Sequence, residues 1–435
     1  MKRNKKSMSL VLLILVILTL SACSSKQSNQ NNEGGEKASN SPQNSVEATV
    51  APTSAPTQVA TTAPTIEPVL TEEERIKKEM VDRSLLRLGN NERLHNVIEK
   101  ARRGEDVTVG FIGGSITEGF NAGTEDIFAK LTYEYFADTY GNRDTVHYVN
   151  AGLSGTPSML GLIRAERDLF TANPDLIFIE FAVNDARSLY DEGAFESLIV
   201  ECLNRPNSPA VVLLFSVIEN GYTCQQGMQL IGFQYDLPMI SITSALQPEF
   251  DAGRMVWDDW SNDVSHPNEW GQKLYSEFII NYLNKAAEKE KDQPVKMPSK
   301  FFVADYTNMK MADKTNLEVT SLGSFVEKST HPSFENGWMK EKDVNGNEPF
   351  TFTFTGRSLF IVFKQVNSED YGTAEVFVDG EMKSAVSGGS SSGWNNPMPQ
   401  FVFSEEESKT HTVSIKMGEN HKDRAFSILA FGISE

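Results

Sequence analysis

A chain of 435 residues is long enough for two domains, and its hydrophobic and charged fractions are those of a soluble globular protein. Its 59 acidic residues outnumber 40 basic ones, for a formal charge of -19, which argues against nucleic acid or other polyanions and leaves neutral substrates open. The three cysteines, Cys23, Cys202 and Cys224, show no repeated spacing, so there is no disulfide framework; Cys202 and Cys224 read as buried free thiols rather than a pair.

The chain opens on a basic stretch, Lys2-Arg3-Asn4-Lys5-Lys6, then an apolar run from Leu10 to Leu20 that is short for a membrane span. The run ends in Leu20-Ser21-Ala22-Cys23. Small residues before a cysteine at this point resemble the lipobox of bacterial lipoproteins. The resemblance implies a signal peptide over residues 1–22 and a lipid on Cys23, anchoring the protein to the outer face of a bacterial cell membrane. Residues 24–69 are rich in Ser, Asn, Gln, Thr, Pro and Ala. They bury too little apolar surface to fold, so 23–70 is expected to be a disordered tether.

A folded domain is expected over residues 71–295. Thr71 to Glu74 starts a helix with a capping box, Gly89-Asn90 breaks it, and Leu94, Val97, Ile98 and Ala101 line one face of a second helix. Five apolar runs come next: Val107 to Ile112, Val146 to Val149, Leu176 to Phe181, Val211 to Phe215 and Met239 to Ile242. Between them lie helical patterns at Ile127 to Ala137, Gly161 to Phe170, Phe195 to Leu203 and Gln225 to Phe233, and a last one at Asn268 to Ala287. This alternation predicts an α/β fold, with a parallel five-stranded sheet in flavodoxin-like order between two helical layers.

The residues just past the strands carry the chemistry. Gly113-Gly114-Ser115 comes after the first strand, Asn150-Ala151-Gly152 closes the second, and Ala182-Val183-Asn184-Asp185 comes after the third. Asp263-Val264-Ser265-His266-Pro267 stands late in the domain. A serine hydroxyl needs a base to become a nucleophile, and histidine is the natural one near neutral pH. His95 lies on a helix and His147 within a strand, whereas His266 sits in a polar loop with an acid three residues back. Taken alone, Ser115 is as good a helix cap as a nucleophile, and Asp263 with His266 reads first as a capping pair.

In order, Gly-Gly-Ser-Ile-Thr, Asn-Ala-Gly, Val-Asn-Asp and Asp-x-x-His-Pro resemble the four blocks of the SGNH (GDSL-type) hydrolase superfamily, over roughly residues 90 to 290. The resemblance implies Ser115 as nucleophile, His266 as general base and Asp263 as its orienting acid. The oxyanion hole would comprise the N–H groups of Ser115 and Gly152 and the Asn184 side chain. Two departures are visible: Gly114 stands where the family often has Asp, and Ala182 where it usually has Gly. Glu180, in an otherwise apolar run, is expected either to pair with Arg164, to line the pocket or simply to face polar surroundings.

From about residue 300 the pattern changes to short alternating strands: Phe350 to Phe354, Leu359 to Phe363, Ala374 to Val378, Phe401 to Phe403, His411 to Met417 and Phe426 to Phe431. Turns are expected at Thr355-Gly356 and Asp379-Gly380. The pattern predicts an antiparallel β-sandwich over residues 300–435. Its Phe-Thr-Phe-Thr-Gly and Val-Phe-Val-Asp-Gly runs resemble the jelly-roll modules of two-domain carbohydrate acetylesterases, where the β module usually comes first. Trp338, Tyr371 and Trp394 lie in Gly- or Asn-rich stretches and are candidate sugar platforms. Gly388 to Pro399 is expected to reach toward the active edge of the first domain.

The expected function is a serine esterase that removes O-acetyl or other small acyl groups from a polysaccharide, without metal or cofactor. Alternatives are a lipase or thioesterase for longer acyl chains, a sugar O-transacylase, and a glycan-binding lipoprotein without activity.

Overall fold

The computed structural model describes residues 70–435. The expected signal peptide, the Cys23 lipidation site and the tether lie outside the described residues. Two sheets organise the remainder.

The first sheet begins after α1 (Glu72–Ser84), whose capping box is formed as expected: Glu74 N–H donates to Thr71 Oγ1, and Thr71 N–H to the Glu74 carboxylate. The helix does not run on to Gly89. Leu85–Arg87 forms a short strand, β1, antiparallel to a later edge strand. Gly89, with φ +63°, then lets the chain press against Pro238, where a Cβ would lie 2.4 Å from the backbone nitrogen. The order continues α2 (Glu92–Arg102), β2 (Val107–Gly113), α3 (Ser115–Glu118), α4 (Phe128–Tyr140), β3 (Val146–Gly152) and α5 (Ser158–Asp168). Next come β4 (Leu176–Glu180), α6 (Leu189–Leu203), β5 (Ala210–Phe215), α7 (Gln225–Gln234) and β6 (Met239–Ser241). The helices α8 (Ile242–Asp251), α9 (Trp257–Trp260) and α10 (Glu269–Glu288) close the unit.

All five expected parallel strands form. Their spatial order is β3-β2-β4-β5-β6, with β1 added at the β6 edge. This is the flavodoxin-like order, and it reverses direction at β2. Strand residues alternate between two cores: Ile177 and Ile179 pack under α5, α6 and α7, while Leu176 and Phe178 pack under α2, α4, α8 and α10.

The second sheet is all antiparallel and made of β7 (Met309–Ala312), β8 (Val319–Ser321), β9 (Val326–Glu327), β10 (Trp338–Lys340), β11 (Phe350–Val366), β12 (Thr373–Val378), β13 (Glu381–Ser387), β14 (Trp394–Met417) and β15 (Phe426–Ser434). It folds into a sandwich around Trp338, Phe350, Phe352, Val376, Ile415 and Phe431. Asp379 and Gly380, both at positive φ, make the expected hairpin turn between β12 and β13. Thr355-Gly356 is not a turn. The strand continues through it, and the β11–β14 register shifts between Gly356 and Ser358. The two halves of β11 face different partners, β8 before the shift and β15 after it. A bulge of this kind bends a strand from one layer into the other, and alternation alone does not distinguish it from a turn.

The two sheets share a core. Ile163 and Leu162 of α5 pack in one cluster with Tyr306, Met309, Phe360, Val362, Leu429 and Ala430. A Cβ on Gly432 would lie 2.6 Å from Ile163 Cγ1, so this glycine sets how closely β15 approaches α5.

Candidate active site

β2 lies at the point where strand order reverses, and ligands of open α/β sheets bind beyond the carboxyl ends of such strands. Gly113 pairs with Gly152 on one side and Glu180 on the other, so the three strands end level. Ser115, Gly152 and Asn184 therefore reach one edge of the sheet. Gly114 stands between β2 and α3 for a steric reason: a Cβ there would fall 2.2 Å from Asn184 Oδ1. Glycine at this position leaves room for the Asn184 amide. Gly119, at φ +85°, ends α3 after a single turn.

The base loop closes on itself before it meets the serine. Ser261 pairs with Pro267, Ser261 Oγ donates to the carbonyls of Asp263 and His266, and Trp257 Nε1 donates to Asp263 O at 2.6 Å. Within this loop His266 Nδ1 lies 2.8 Å from Asp263 Oδ2, and His266 Nε2 lies 2.9 Å from Ser115 Oγ. Burial works against the Asp263 charge. His266, the N–H groups of Ser265 and His266, and Asn121 outweigh it and hold the carboxyl well below the usual carboxylate range. An ionised Asp263 at this distance holds the imidazole ring by its Nδ1, with Nε2 turned to Ser115 Oγ.

Asn184 is fixed through its neighbour. The Asp185 carboxyl accepts from Ser158 N–H at 2.6 Å, at the start of α5, where Pro157 offers no cap of its own. The Asp185 carbonyl accepts from Tyr222 Oη at 2.5 Å and from Cys224 Sγ at 3.1 Å. Both Cys202 and Cys224 are free and buried, as expected. Gly152 departs from its expected role. It reaches the right edge, but its N–H is donated to Asn150 Oδ1 at 2.9 Å. Its lack of a side chain has another reason: a Cβ would lie 2.3 Å from Glu118 N. The donors left for an oxyanion are Ser115 N–H, at a helix start with no side-chain cap, and the Asn184 amide.

Sequence reasoning missed the segment after α3. Asn121 Nδ2 donates to Asp263 Oδ2 at 2.7 Å, and Asn262 Nδ2 returns a bond to Asn121 O at 2.6 Å. The Phe120 ring stands edge-on to His266 at 5.0 Å and is 55% exposed. Asn121 adopts φ 55°, the left-handed conformation that Asn tolerates better than most residues. The pair Gly119 and Asn121 was a readable turn signal, but its partner lies 142 positions away.

The remaining candidates divide. Trp394 is 55% exposed, and its indole covers Gly155, where a Cβ would lie 2.5 Å from Cζ2. The sandwich thus reaches the loop beyond Gly152, as expected of Gly388 to Pro399. Trp338 is 1% exposed and belongs to the sandwich core, its ring tilted against those of Phe350 and Phe431. It has no face for a sugar, because β10 points it inward. Tyr371 is half-buried under Lys364, whose ammonium lies 5.4 Å from the ring centre. Glu180 does not pair with Arg164, which bonds Gly113 O and Asp168 instead. His147 faces outward beside Asp106, and His95 bonds Lys289 O, both away from Ser115.

Residues 111–274 match the sequence model of the GDSL-like Lipase/Acylhydrolase family. No curated protein is similar to the chain. Among solved structures, the fold is similar to a two-domain esterase (CEX) active on acetylated mannans, with 26% identity and a TM-score of 0.73, over 82% of this chain and 99% of that one. The same esterase co-crystallised with mannopentaose matches equally, with 26% identity, a TM-score of 0.73 and coverage of 82% and 98%. The resemblance read from the four sequence blocks is therefore borne out, and the similarity extends over both sheets.

A fluorophosphonate probe is expected to label Ser115 in the folded protein and to fail on Ser115→Ala and His266→Ala. Asn121→Ala should slow labelling by roughly 10-fold, since it removes one charge-assisted hydrogen bond to Asp263. Because the folded-state pKa of Asp263 is depressed, the support it gives is present above the ordinary carboxylate range and is lost as pH falls through the folded value. Labelling of Asn121→Ala should accordingly fail at a higher pH than that of the parent, measured as initial rate against pH.

Proposed function

We propose that this chain, with its GDSL-type α/β domain and fused β-sandwich, is a serine esterase that removes acetyl or similar small acyl groups from a polysaccharide. The observation that carries the proposal is the relay Asp263–His266–Ser115, at 2.8 and 2.9 Å, at the sheet's switch point beside the Asn184 amide. Similarity to an esterase active on acetylated mannans supports the choice of substrate class.

In this reading Ser115 Oγ attacks the ester carbonyl carbon while His266 Nε2 takes its proton. Ser115 N–H and the Asn184 amide hold the oxyanion. When the tetrahedral intermediate collapses, the C–O bond to the sugar breaks and the imidazolium protonates the departing sugar oxygen. A water deprotonated by His266 then attacks the acyl-serine, the bond to Ser115 Oγ breaks, and the imidazolium returns its proton to that oxygen as the free acid leaves. Asp263 stays ionised throughout and stabilises the imidazolium. Gly152 N–H joins the hole only where Asn150 releases it.

Ser115→Ala is expected to lower kcat on p-nitrophenyl acetate by on the order of 10⁴-fold. Asn184→Ala is expected to lower it by roughly 100- to 1000-fold. Parental activity in Ser115→Ala would remove the proposal. Free acetate released from acetylated mannan and xylan identifies the glycan. Faster hydrolysis of octanoate than acetate esters would instead favour a lipase or thioesterase. With an acceptor sugar present, an acylated acceptor in place of free acid would mark a transacylase. Glycan binding without acyl release, in folded protein, would mark a binding lipoprotein.

The exposed Trp394 indole at the rim is the sugar platform in this proposal. Trp394→Ala should raise KM for the acetylated polymer several-fold more than KM for p-nitrophenyl acetate, because only the polymer reaches beyond the acyl site. Equal effects on both would assign Trp394 to packing.

The lipid on Cys23 would hold this activity at the outer face of the cell membrane. Cys23→Ser should move the protein from the membrane fraction to the medium, read by immunoblot of the two fractions. Unchanged membrane retention would refute the anchor.

A further inference from the structure

Glu180 ends β4 as a 0% exposed carboxyl. Its Oε2 accepts from Thr117 Oγ1 at 3.2 Å, and its Oε1 has no partner. The other groups that bear on it are the Ser216 hydroxyl, just past β5, and the acidic groups Tyr275 of α10 and Asp185. Ser216 Oγ is 3.0 Å from Tyr275 Oη, so hydroxyls and acids surround the carboxyl. Arg164 of α5 is occupied by Gly113 O and Asp168. A carboxylate buried without a counter-ion is costly, so the neutral acid is favoured. Burial pushes the Glu180 pKa up to about 7, only partly opposed by Ser216 and Thr117.

The turn that carries Ser115 is only four residues long and does not hold itself. Thr117 ties it to two strands: its hydroxyl donates to Glu180 of β4, and its carbonyl accepts from Asn150 Nδ2 of β3 at 2.8 Å. Gly113 makes the first contact possible, since a Cβ there would lie 2.1 Å from Thr117 Oγ1. We propose that Glu180 is a positioning residue: as a neutral acid it holds Thr117, and through Thr117 the Ser115 turn, in line with His266. This rests on the reading of Ser115 as nucleophile. Ionisation of Glu180 places an uncompensated charge beside Asp185 and Tyr275, and the surrounding elements shift to relieve it. Activity therefore declines on the alkaline side.

The test uses the full chain and p-nitrophenyl acetate, with Glu180→Gln, Thr117→Val and Ser115→Ala. Glu180→Gln keeps the size and a hydrogen-bonding group but does not ionise. It should match the parent near pH 6 and hold its kcat through about pH 9, where the parent loses several-fold. Thr117→Val, nearly isosteric, should lower kcat by roughly 10-fold with KM little changed. The melting temperature supplies a second readout. A buried carboxyl whose folded pKa is raised retains a proton that the unfolded chain has released, so stability falls as pH rises from the ordinary glutamate value to about 7. The parent should show that decline and Glu180→Gln a shallower one, since Asp185 is also buried and raised. An alkaline limb in Glu180→Gln identical to the parent's, or full kcat in folded Thr117→Val, overturns the inference. Ser115→Ala separates the two levels. If it is active, the reading of the site fails; if it is inactive and Glu180→Gln behaves as the parent, only the role of Glu180 fails.

Discussion

Everything at the active edge depends on how closely the end of β2 approaches its neighbours. At Gly113 and Gly114 a single added carbon would collide with the Thr117 hydroxyl and with the Asn184 amide. The chain meets this constraint with two glycines in succession, and the space they leave is filled by polar groups. Thr117 reaches β4 through one gap, and Asn184 stands beside the serine turn through the other. Each hydrogen bond involved is modest in net stability, about 1 kcal/mol. Their value lies in position, because a misplacement of about 1 Å in a reacting group costs far more in rate than one such bond contributes to folding.

The same economy of space governs the base. His266 is held by a loop that closes through its own carbonyls, and Asp263 accepts from backbone as well as from the imidazole. The link between this loop and the serine runs through Asn121, three residues beyond the end of α3. The Ser115 turn and the His266 loop are thus coupled by a second route besides the Ser115–His266 hydrogen bond. A shift in either loop is felt by both.

The β-sandwich is not hung on the α/β unit by a linker alone. Residues of α5 share a core with β7, β11 and β15, so the sandwich takes the place of solvent over that helix. The contact explains how β14 can present Trp394 at the rim: Gly155 accepts the indole, and the shared core fixes the strand that carries it. An aromatic ring held this way loses little conformational freedom on meeting a ligand.

Read without the fold, the chain already disclosed its two sheets and the five parallel strands, and it singled out Ser115, Asp263 and His266, which the fold brings into contact, and Asn184, which the fold sets beside Gly114. Period-two and apolar runs are local properties, and the four short blocks each follow or flank such a run. The errors have a common origin. The end of α1 became the strand β1 because a neighbouring edge offered backbone partners. Thr355-Gly356 became a strand bulge because β11 has a different partner on each side of it. Trp338 turned inward although its flanking Gly337 suggested a loop, and Gly152 N–H went to Asn150. In each case a partner distant in sequence or a direction in space decided the outcome, and neither is written in local composition. Composition and spacing by themselves determined the architecture and the kinds of groups available for chemistry. Only the tertiary structure decided which of them touch, because contacts such as Asn121 with Asp263, Thr117 with Glu180 and Trp394 with Gly155 join segments far apart along the chain, through gaps one carbon atom wide.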